Sequence, residues 1–494
     1  MKSQKTDQEL AREEKLKKLI EQGINPYPKK FNRTHSVSEI VEEFSSFSHE
    51  KLEEKEYKVS VPGRIISIRK MGKATFFHIY DGVAKIQGYI KEDIVGKENY
   101  KIFDLFDIGD FIGIEGRLFR TRTNELTILV EKFTFLVKSL HPLPEKWHGL
   151  QDIEIRYRQR YLDLIVNPEV RKIFDLRSKL IKEIRKFLDE RGYVEVETPM
   201  MQPIPGGALA RPFETYHNAL GINLYLRIAP ELYLKRLVVG GYEKVYEINR
   251  NFRNEGISSQ HNPEFTMLEF YQAYSDYNDL MNLTEEMLSY LAKTLLNTLE
   301  VKFKEHTISF KPPFERIKFK DAIVYHSGLT PSKFDDKEEV IKIAKNFETS
   351  KEVISYGKAL DIIFDKLVKP KLIQPTFITN HPKEISPLSK ACPDNPEEVE
   401  RFELIIGGME IANAFSELND PKEQRERFEQ QLAEREAGVE EAHLIDEDFL
   451  TALEYGMPPT AGEGIGIDRL VMIFANKPSI REVILFPLLR PKTE

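Results

Sequence analysis

The feature that most constrains the fold is a stretch of alternating residues at positions 242–271, which reads YEKVYEINRNFRNEGISSQHNPEFTMLEFY. Alternation of this kind is typical of a β-strand, because successive side chains point to opposite faces. The first half has an apolar face that includes Tyr246 and a polar face that includes Glu247. We expect the polar face to be exposed to solvent. We therefore predict two strands joined by a polar loop at residues 254–264.

The second half of this stretch places a carboxylate among residues that are typical of a protein core. Phe265, Met267, Glu269 and Tyr271 share one strand face. A carboxylate on the interior face of a sheet is costly unless it is paired or bound to a ligand. Glu269 and the nearby Arg253 therefore suggest a pocket for a ligand that carries both signs of charge. On spacing alone, a surface hairpin with an exposed ion pair is an equal alternative, because such pairs are common and contribute little.

Length and composition limit the class of protein. The chain has 494 residues, 41% hydrophobic and 31% charged, which predicts a globular protein with more than one domain. It has neither a signal peptide nor an apolar run of about 18 residues, so we expect a soluble, cytoplasmic protein without a membrane span. The single cysteine, Cys392, excludes an internal disulfide or a cysteine zinc site and is expected to be structural filler. A net charge of -8 leaves room for a local nucleic-acid surface.

Changes in residue pattern and composition along the chain predict its domains. Residues 1–56 are expected to form a leader helix, amphipathic over residues 7–22, and a linker. Five short alternating segments with glycine turns over residues 57–140 predict a five-stranded β-barrel of the oligonucleotide-binding (OB) type. The proline-marked residues 141–151 predict a linker, and residues 152–494 a second domain.

Barrels of the OB type bind single strands by stacking bases on aromatic side chains beside cationic ones. The candidates for this role on the first strands are Arg69, Lys73, Phe76, Phe77, His78 and Gln87. Because side chains alternate, only one of Phe76 and Phe77 can point outward. Aromatic residues of small barrels are more often core residues, so a purely structural role for both remains the alternative.

Two later segments repeat the pattern of polar residues on strand faces. After Gly408, alternation aligns Asn413, Phe415 and Glu417, whereas Glu410 is out of phase with them and would need a bulge or an approach from the side. A second segment has alternating glycines at positions 462, 464 and 466, which strip one strand face of side chains so that a flat base can lie there. Arg469 follows in the first turn of a predicted helix and can clamp a phosphate.

Several motifs resemble the class II aminoacyl-tRNA synthetases, in their lysyl-type form. Residues 252–270, FRNEGISSQHNPEFTMLEF, resemble the family's second signature, and residues 458–478 resemble the third. A helix at 169–190, Gly192 and a strand at 193–199 resemble the first signature, which in the family builds a dimer interface. RKMGKATF at residues 69–76 is similar to the family's anticodon-binding segment and favours Phe76 as the outward aromatic.

The resemblance implies an α+β fold, in which an N-terminal five-stranded OB-type β-barrel precedes a class II synthetase catalytic domain built on an antiparallel sheet flanked by helices. It implies an enzyme that activates L-lysine with ATP to lysyl-adenylate and then transfers the lysyl group to the 3′ end of tRNA(Lys), releasing AMP and pyrophosphate. Mg²⁺ is the implied cofactor, and a homodimer the implied assembly. The alternatives are an aspartyl- or asparaginyl-type synthetase and a non-catalytic tRNA-binding relative.

The family's functional residues carry over onto matching positions of this chain. Arg253 and Arg469 are implied as the catalytic residues. The implied lysine-binding residues are Gly207, Glu231, Arg253, Glu269, Tyr271, Asn413, Phe415 and Glu417. The implied ATP-binding residues are Arg253, Glu255, His261, Asn262, Phe265, Glu410 and Arg469. Glu403 and Glu410 are implied as magnesium ligands, and Arg69, Phe76 and Gln87 as anticodon-binding residues.

The chain departs from the family pattern at two positions. Ala414 stands where glycine is common, and Glu463 stands where many relatives carry leucine, which is expected to place a charge near the site. Residues 277–395 carry no motif with a chemical role, although 280–299 and 337–345 are predicted to be helical. We expect this segment to be an elaboration of the catalytic domain rather than a third domain.

Overall fold

The computed structural model describes residues 5–144, 150–334, 336–347, 355–436 and 444–491. It divides the chain into two units, Met1–Arg171 and Lys172–Glu494. Residues 145–149, which include the single tryptophan of the predicted linker, lie outside the described residues.

The first unit contains short helices around a barrel. Its helices are α1 (Asp7–Glu21), α2 (Val37–Phe44), α3 (His49–Lys55), α4 (Glu92–Val95), α5 (Lys97–Phe103), α6 (Ile153–Arg158) and α7 (Arg160–Val166). The leader helix is confirmed, and a capping box between Thr6 and Glu9 begins it. Its predicted apolar stripe is wrong in part, because Leu19 is buried whereas Leu10 and Ile20 are 51% and 53% exposed.

The predicted leader and linker region also contributes to the barrel's core, which the sequence did not indicate. Ile40 and Phe44 of α2 and Leu52 of α3 are buried in the same cluster as the barrel residues Val61 and Ile112. These two helices are short and their apolar residues are few, so their stability depends on packing against the barrel rather than on propensity.

The five-stranded barrel is confirmed. Its strands are β1 (Lys58–Met71), β2 (Ala74–Tyr80), β3 (Lys85–Lys91), β4 (Phe111–Arg120) and β5 (Leu126–Val137). They close in the order β1-β2-β3-β5-β4. Closure requires close approach at Gly116, where an added Cβ would lie 1.9 Å from the backbone oxygen of Leu129.

The second unit is a mixed α+β structure, as predicted. A further helix, α8 (Pro168–Asp189), crosses the boundary between the units. The other helices are α9 (Glu231–Val239), α10 (Tyr277–Leu296), α11 (Phe319–Ser327), α12 (Pro331–Phe334), α13 (Lys337–Lys345), α14 (Tyr356–Ile363), α15 (Pro421–Glu436), α16 (Glu447–Glu454), α17 (Ile467–Phe474) and α18 (Ile480–Val483). The strands are β6 (Val194–Glu195), β7 (Met201–Gln202), β8 (Phe213–His217), β9 (Ile222–Leu226), β10 (Lys244–Phe252), β11 (Glu264–Ala273), β12 (Glu300–Phe303), β13 (His306–Ser309), β14 (Glu315–Lys318), β15 (Thr376–Pro382), β16 (Glu398–Ile406), β17 (Met409–Ser416) and β18 (Thr460–Gly466).

The main sheet has the order β14-β15-β16-β17-β18-β11-β10-β6 among the described residues. Its central pairs are antiparallel, and parallel pairing occurs at the two ends, β14 with β15 and β6 with β10. Strands β14 and β15 come from residues 277–395, which supports the interpretation of that segment as an elaboration of the catalytic domain. The two helices predicted there are α10 and α13.

The strand predicted at residues 193–199 is shorter than expected. Only Val194 and Glu195 are in strand conformation, and they pair with β10 at the edge of the sheet. The chain then turns so that the Thr198 hydroxyl donates to Glu247 at 2.7 Å. Pro199, which has no N–H to donate, would also interrupt a ladder.

One face of the main sheet packs on helices α8, α10 and α17 to form the largest hydrophobic core. Glu463 lies on this face, opposite Phe270 and Ala414, with 1% of its surface exposed. The expectation that Glu463 places a charge near the site is therefore wrong. Burial raises the pKa of Glu463 well above its ordinary value, and the Thr284 hydroxyl lies 2.7 Å from both carboxyl oxygens. A single hydroxyl proton cannot serve both contacts, so a neutral Glu463 that donates one hydrogen bond fits the geometry.

Candidate active site

The opposite face of the main sheet gathers the side chains predicted on β11, β17 and β18. Residues that lie directly opposite each other in a ladder share a face. The ladder forms two rows across these strands, Glu269–Gly464–Asn413 and Tyr271–Gly462–Phe415. The glycines leave the middle of each row without a side chain of its own, and this part of the sheet face is the floor of the candidate pocket, with Met267 over Gly464 and with Tyr271 and Glu417 over Gly462.

Gly462 is required because its neighbours approach the backbone closely. An added Cβ would lie 2.2 Å from a ring carbon of Tyr271 and 2.3 Å from Oε1 of Glu417. Neither contact can be relieved by a small shift, because both side chains are buried. The close approach holds an acid and a phenol side by side over this glycine.

Three carboxyl groups lie in this pocket, on Glu231, Glu269 and Glu417, with exposures of 6%, 3% and 1%. The Tyr271 hydroxyl donates to Glu269 at 2.7 Å. Burial, and then the charge of Glu231, raises the pKa of Glu269 to about 8. Burial also raises the pKa values of Glu231 and Glu417. Among the described residues, Oε1 of Glu417 has no hydrogen-bond partner.

Gly207 brings backbone next to this acidic group. It has a φ of 87°, and an added Cβ would lie 2.8 Å from Cβ of Glu231. Glu231 is the first residue of α9. The loop and the helix start therefore meet at the same end of the pocket.

Sequence reasoning missed a cation inside the pocket. Lys235 is fully buried on α9, and its Nζ donates to Glu231 at 2.5 Å. The same nitrogen pairs with Oε2 of Glu417 and lies 5.4 Å from the centre of the Phe415 ring. The spacing of four residues between Glu231 and Lys235 on a helix was a signal that could have revealed the first of these pairs.

A second missed residue, Arg401 on β16, fixes two predicted site residues. Its Nε donates to Oδ1 of Asn413 at 2.9 Å, and its Nη2 donates to Glu403 at 2.7 Å. Nη1 donates to the Ser386 hydroxyl at 3.0 Å. This contact fixes the orientation of the Asn413 amide, with Oδ1 toward Arg401.

The two predicted metal ligands are brought together by a bulge. Leu404 lies opposite Ala412, but the next residue, Ile405, lies opposite Glu410, so β17 contains one extra residue. This bulge supplies the change of phase that the sequence required for Glu410. Burial, and then the charge of Glu410, raises the pKa of Glu403 to about 7.

Arg253 lies where the loop after β10 reaches the pocket. Its guanidinium is 5.1 Å from the centre of the Phe265 ring, and its buried Nε has no partner among the described residues. Glu255, Glu410 and Glu269 favour its charged form, although burial lowers its pKa. The guanidinium is thus left available for an anionic ligand.

Arg469 and His261 form the far side of the same cluster. Arg469 donates from Nη1 to the backbone oxygen of Glu410 at 2.7 Å, and its Nη2 lies 3.1 Å from Nε2 of His261. Burial, and then the charge of Arg469, lowers the pKa of His261. The histidine is therefore neutral near pH 7 and can accept a hydrogen bond.

Two other predicted ATP-binding residues, Glu255 and Asn262, lie in the loop between β10 and β11. Glu255 is exposed in the loop, near Arg253 and His261. Asn262 uses its Nδ2 to donate to the backbone oxygen of Glu264 at 2.7 Å, and its Oδ1 accepts from the backbone N–H of Leu488 at 3.2 Å. The amide of Asn262 thus links the backbone at Glu264 to the backbone at Leu488.

The polar face of β10 is not exposed to solvent, so the prediction from the sequence was wrong. Glu247 and Asn251 are 2% and 1% exposed. Arg227, itself buried, donates to Glu247 at 2.7 Å, so the carboxylate is paired. Arg227 and Thr198, which precede β10 in the chain, contact this face, and local alternation cannot reveal such contacts.

On the barrel, Arg69, Phe76 and Tyr89 lie side by side across β1, β2 and β3. Phe77 is 1% exposed, so Phe76 is the outward aromatic, and its ring stacks on Tyr89 with centres 4.2 Å apart. Tyr89 was not predicted. Lys73 remains exposed in the β1–β2 turn, with its Nζ 3.3 Å from Glu92.

Gln87 and His78 meet one acidic residue of the barrel. Glu125 accepts from Gln87 Nε2 at 2.9 Å and lies 2.8 Å from His78 Nε2. The Thr127 hydroxyl donates to Oε1 of Gln87 at 2.9 Å, so both ends of the amide are fixed. Glu125 was missed because it lies in the turn before β5, where no sequence signal marks it.

Comparison with known proteins bears on the whole chain. Residues 59–136 match the family described as OB-fold nucleic acid binding domain, and residues 152–490 match tRNA synthetases class II (D, K and N). A lysine–tRNA ligase of Pelotomaculum thermopropionicum is 56% identical over 97% of this chain and 94% of its own length. This chain belongs to the lysine–tRNA ligase family of class II synthetases. Its lysyl-type resemblance is thereby confirmed.

Other relatives agree with this family assignment. A lysine–tRNA ligase of Bacillus cereus is 54% identical over 99% of this chain and 98% of its own length. One of Carboxydothermus hydrogenoformans is 54% identical over 97% of each chain. The class II model covers the aspartyl, lysyl and asparaginyl types together, whereas these relatives are of the lysyl type. Among the residues that the structure describes, none of the helices has the length and apolar composition that a membrane crossing requires.

Proposed function

We propose that this chain activates L-lysine with ATP and transfers the lysyl group to tRNA(Lys). The observation that carries this proposal is the pocket of three buried carboxyl groups, in which Oε1 of Glu417 has no partner among the described residues. A buried acceptor without a partner is costly, so a ligand donor is expected there. An ammonium group beside Glu417, Glu269 and the Tyr271 hydroxyl would supply it.

The two ends of lysine are assigned to different sides of this pocket. Glu231, with backbone at Gly207, would take the α-ammonium, and Glu417, Glu269 and Tyr271 the ε-ammonium. Phe415 would cover the methylene chain. The Asn413 amide, oriented by Arg401 at 2.9 Å, and Arg253 would hold the lysine carboxylate.

The chemistry needs no protein nucleophile. An oxygen of the lysine carboxylate attacks the α-phosphorus of ATP, and the bond from that phosphorus to pyrophosphate breaks. The 3′-terminal hydroxyl of tRNA then attacks the carbonyl carbon of lysyl-adenylate, and AMP leaves. Arg253 would bridge the carboxylate and α-phosphate, and Arg469 would hold the outer phosphates, so catalysis is mainly positioning and electrostatics.

The nucleotide is assigned to the loop after β10 and the glycine strand. Adenine would stack on the ring of Phe265. His261, neutral near pH 7, and Glu255 would hold the nucleotide, and Asn262 would support this loop. Phe265 already has the Arg253 guanidinium 5.1 Å from its ring centre, which aligns base and phosphate sites.

Glu403 and Glu410 fit a magnesium ion that is shared with phosphates. Among the described residues, no three or more side chains of metal-binding type cluster together. Mg²⁺ is commonly held by one or two carboxylates, waters and substrate phosphates. When bound, the ion would neutralise phosphate charge. The nearby Lys369, which pairs with Asp365, adds a positive charge that raises the ionised fraction of both acids.

The organisation of the protein is proposed on the same basis. We assign residues 57–140 to anticodon binding, through Arg69, Phe76 and Gln87, and residues 152–494 to catalysis. A homodimer is proposed from the resemblance of the first signature to that of the family, and a cytoplasmic location from membership of the family.

The function is tested by pyrophosphate exchange with each amino acid in turn. We expect lysine to support exchange, whereas aspartate and asparagine should not, because their side chains offer no ammonium to three carboxyl groups. Exchange with aspartate in place of lysine would contradict the proposal. Lysine-dependent exchange without charging of tRNA(Lys) would limit the chain to adenylate formation.

Substituting Phe76 tests the anticodon site. If an anticodon base stacks on the outward ring, Phe76→Ala should weaken tRNA binding by about 1–3 kcal/mol, or roughly 5- to 150-fold. Charging at limiting tRNA should fall, while pyrophosphate exchange without tRNA stays within a few-fold of the parent. Equilibrium binding of tRNA(Lys) and both rates are the measurements.

Phe77→Ala is the matched comparison, because Phe77 is the next residue on the same strand and is 1% exposed. It should lower barrel stability by about 3–5 kcal/mol through a cavity. Intact tRNA affinity in Phe76→Ala, or a loss of stability similar to that of Phe77→Ala, would contradict base recognition by Phe76.

A further inference from the structure

Lys235 is a fully buried lysine in the centre of the proposed substrate pocket. Its Nζ pairs with Oε1 of Glu231 at 2.5 Å and with Oε2 of Glu417, and its side chain has no exposed surface. The rings of Phe415 and Phe449 lie 5.4 Å and 5.9 Å from the same nitrogen. The chain therefore carries its own ammonium between the two carboxylates assigned to the substrate's two ammonium groups.

The neighbouring cations are already committed to other carboxylates. Arg227 donates to Glu247 at 2.7 Å, and Arg401 donates to Glu403 at 2.7 Å. In the described part of the chain, Lys235 is thus the cation in direct contact with the pocket acids. A buried carboxylate without such a partner would lose its charge.

The charges of the pocket can be counted. Glu231, Glu269 and Glu417 carry three negative charges when ionised, and Lys235 supplies one positive charge. Two negative charges remain, which equals the two ammonium groups of a diamino acid. A monoamino acid would leave one of these carboxylates without a partner, and such burial is costly.

We propose that Lys235 positions Glu231 and Glu417 and supplies the third positive charge that makes this pocket selective for a diamino acid. It occupies one oxygen of each carboxylate. The other oxygen of Glu417, Oε1, then faces Gly462 and Tyr271, free of any partner in the described chain. The inference rests on the proposed lysine pocket.

The protonation of the pocket supplies a second readout. Burial raises the pKa values of Glu231 and Glu417, and Lys235 opposes that effect in both. The pKa of Glu269 is about 8, raised by burial and then by Glu231. Lysine binding should therefore release protons near pH 7, and more should be released when Lys235 is absent. The other charged and titratable groups that face these carboxyls are Arg227, Arg253, Tyr271 and Arg401.

The experiment compares lysine binding by Lys235→Met and the parent in calorimetry, in buffers of different ionisation enthalpy. We expect the Kd for lysine to rise at least tenfold, the Kd for ATP to change less than threefold, and proton release per lysine to increase. Exchange kinetics should show a raised KM for lysine with a smaller change in kcat. An unchanged lysine Kd and unchanged proton release would overturn the proposal.

Lys138→Met is the matched control, because Lys138 is also buried between two carboxylates, those of Asp107 and Asp110, but lies in the barrel. It should lower the melting temperature and leave lysine affinity unchanged. A loss of lysine affinity in Lys138→Met equal to that of Lys235→Met would mean that destabilisation explains both, and would overturn the proposal.

A second variant keeps the test decisive if Lys235→Met folds poorly. In Lys235→Met/Glu417→Gln one of the two carboxylates that lost the lysine is replaced by a neutral amide, so the double variant should fold better. If Lys235 acts through Glu417, the loss of lysine affinity should be smaller than the sum of the two single losses. Additive losses would contradict action through Glu417. A parent that binds no lysine would instead contradict the proposed function itself.

Discussion

Replacing Arg253 by alanine is expected to lower lysine-dependent pyrophosphate exchange by about 10²–10³-fold, the range for loss of one preorganised charge stabiliser. The guanidinium lies over Phe265, and its buried Nε has no partner among the described residues. It is therefore available to the carboxylate and the α-phosphate, where negative charge collects in the transition state. The melting temperature should change little, because the side chain is only partly buried and anchors no core residue.

Arg250→Ala is the matched control for this variant. Arg250 lies on β10, the strand that precedes the loop of Arg253, and pairs with Glu264 at 3.6 Å, with 40% of its side chain exposed. Exchange should stay within a few-fold of the parent. If Arg253→Ala retained a similar rate, with binding of lysine and ATP intact, the proposed role of Arg253 would be wrong.

Replacing Glu417 by glutamine is expected to weaken lysine binding by about 1–3 kcal/mol, the cost of leaving a buried polar group without its match. This corresponds to roughly 5- to 150-fold in Kd. The Kd for ATP should change much less, because Glu417 lies at the Gly462 end of the pocket, beside Tyr271. Glutamine also offers Lys235 a neutral oxygen in place of a charged one, so part of the loss should arise through that contact.

Glu463→Gln separates this effect from a general response to the loss of a buried acid. Glu463 is as buried as Glu417, at 1% exposure each, but lies on the opposite face of the same sheet. Burial raises the pKa of Glu463 in the folded protein. The contribution of this acid to folding stability is therefore complete below its ordinary pKa of 4.5, and it is lost as the pH rises through the pKa of the folded state. Glu463→Gln should leave lysine Kd unchanged and raise the melting temperature at alkaline pH.

A lysine Kd that stays at the parent value in Glu417→Gln would remove Glu417 from the pocket.

Strand periodicity predicted much of the candidate site. Alternation placed Phe265, Met267, Glu269 and Tyr271 on one face of β11, and the unbroken ladder with β10 confirms that they share it. The same rule separated Phe76 from Phe77, because an exposed and a buried residue must alternate on a barrel strand. These predictions succeed because the direction of a side chain from a strand is a local property of the backbone.

Local rules failed where a distant segment changes the environment of a residue. The polar face of β10 was expected to be exposed to solvent, but Glu247 on this face is buried and paired with Arg227, which lies twenty positions away in the chain. Glu463 was expected near the site, although its parity with Gly462 and Gly464 places it on the other face. Lys235 and Arg401 are charged residues without a motif, and only their contacts reveal that they orient the pocket acids and amide.

The sequence by itself determined the two-part α+β organisation, the five barrel strands and the polar faces of β11 and β17, because glycine positions and the period of two are encoded residue by residue. Only the tertiary structure decided which carboxylates are paired. That choice depends on distances between β11, β17 and α9 and on burial, which sets the pKa of Glu269 at about 8. It also depends on one extra residue in β17, which turns Glu410 toward Glu403. Such a bulge is fixed by the pairing of two strands, and neither strand specifies it alone.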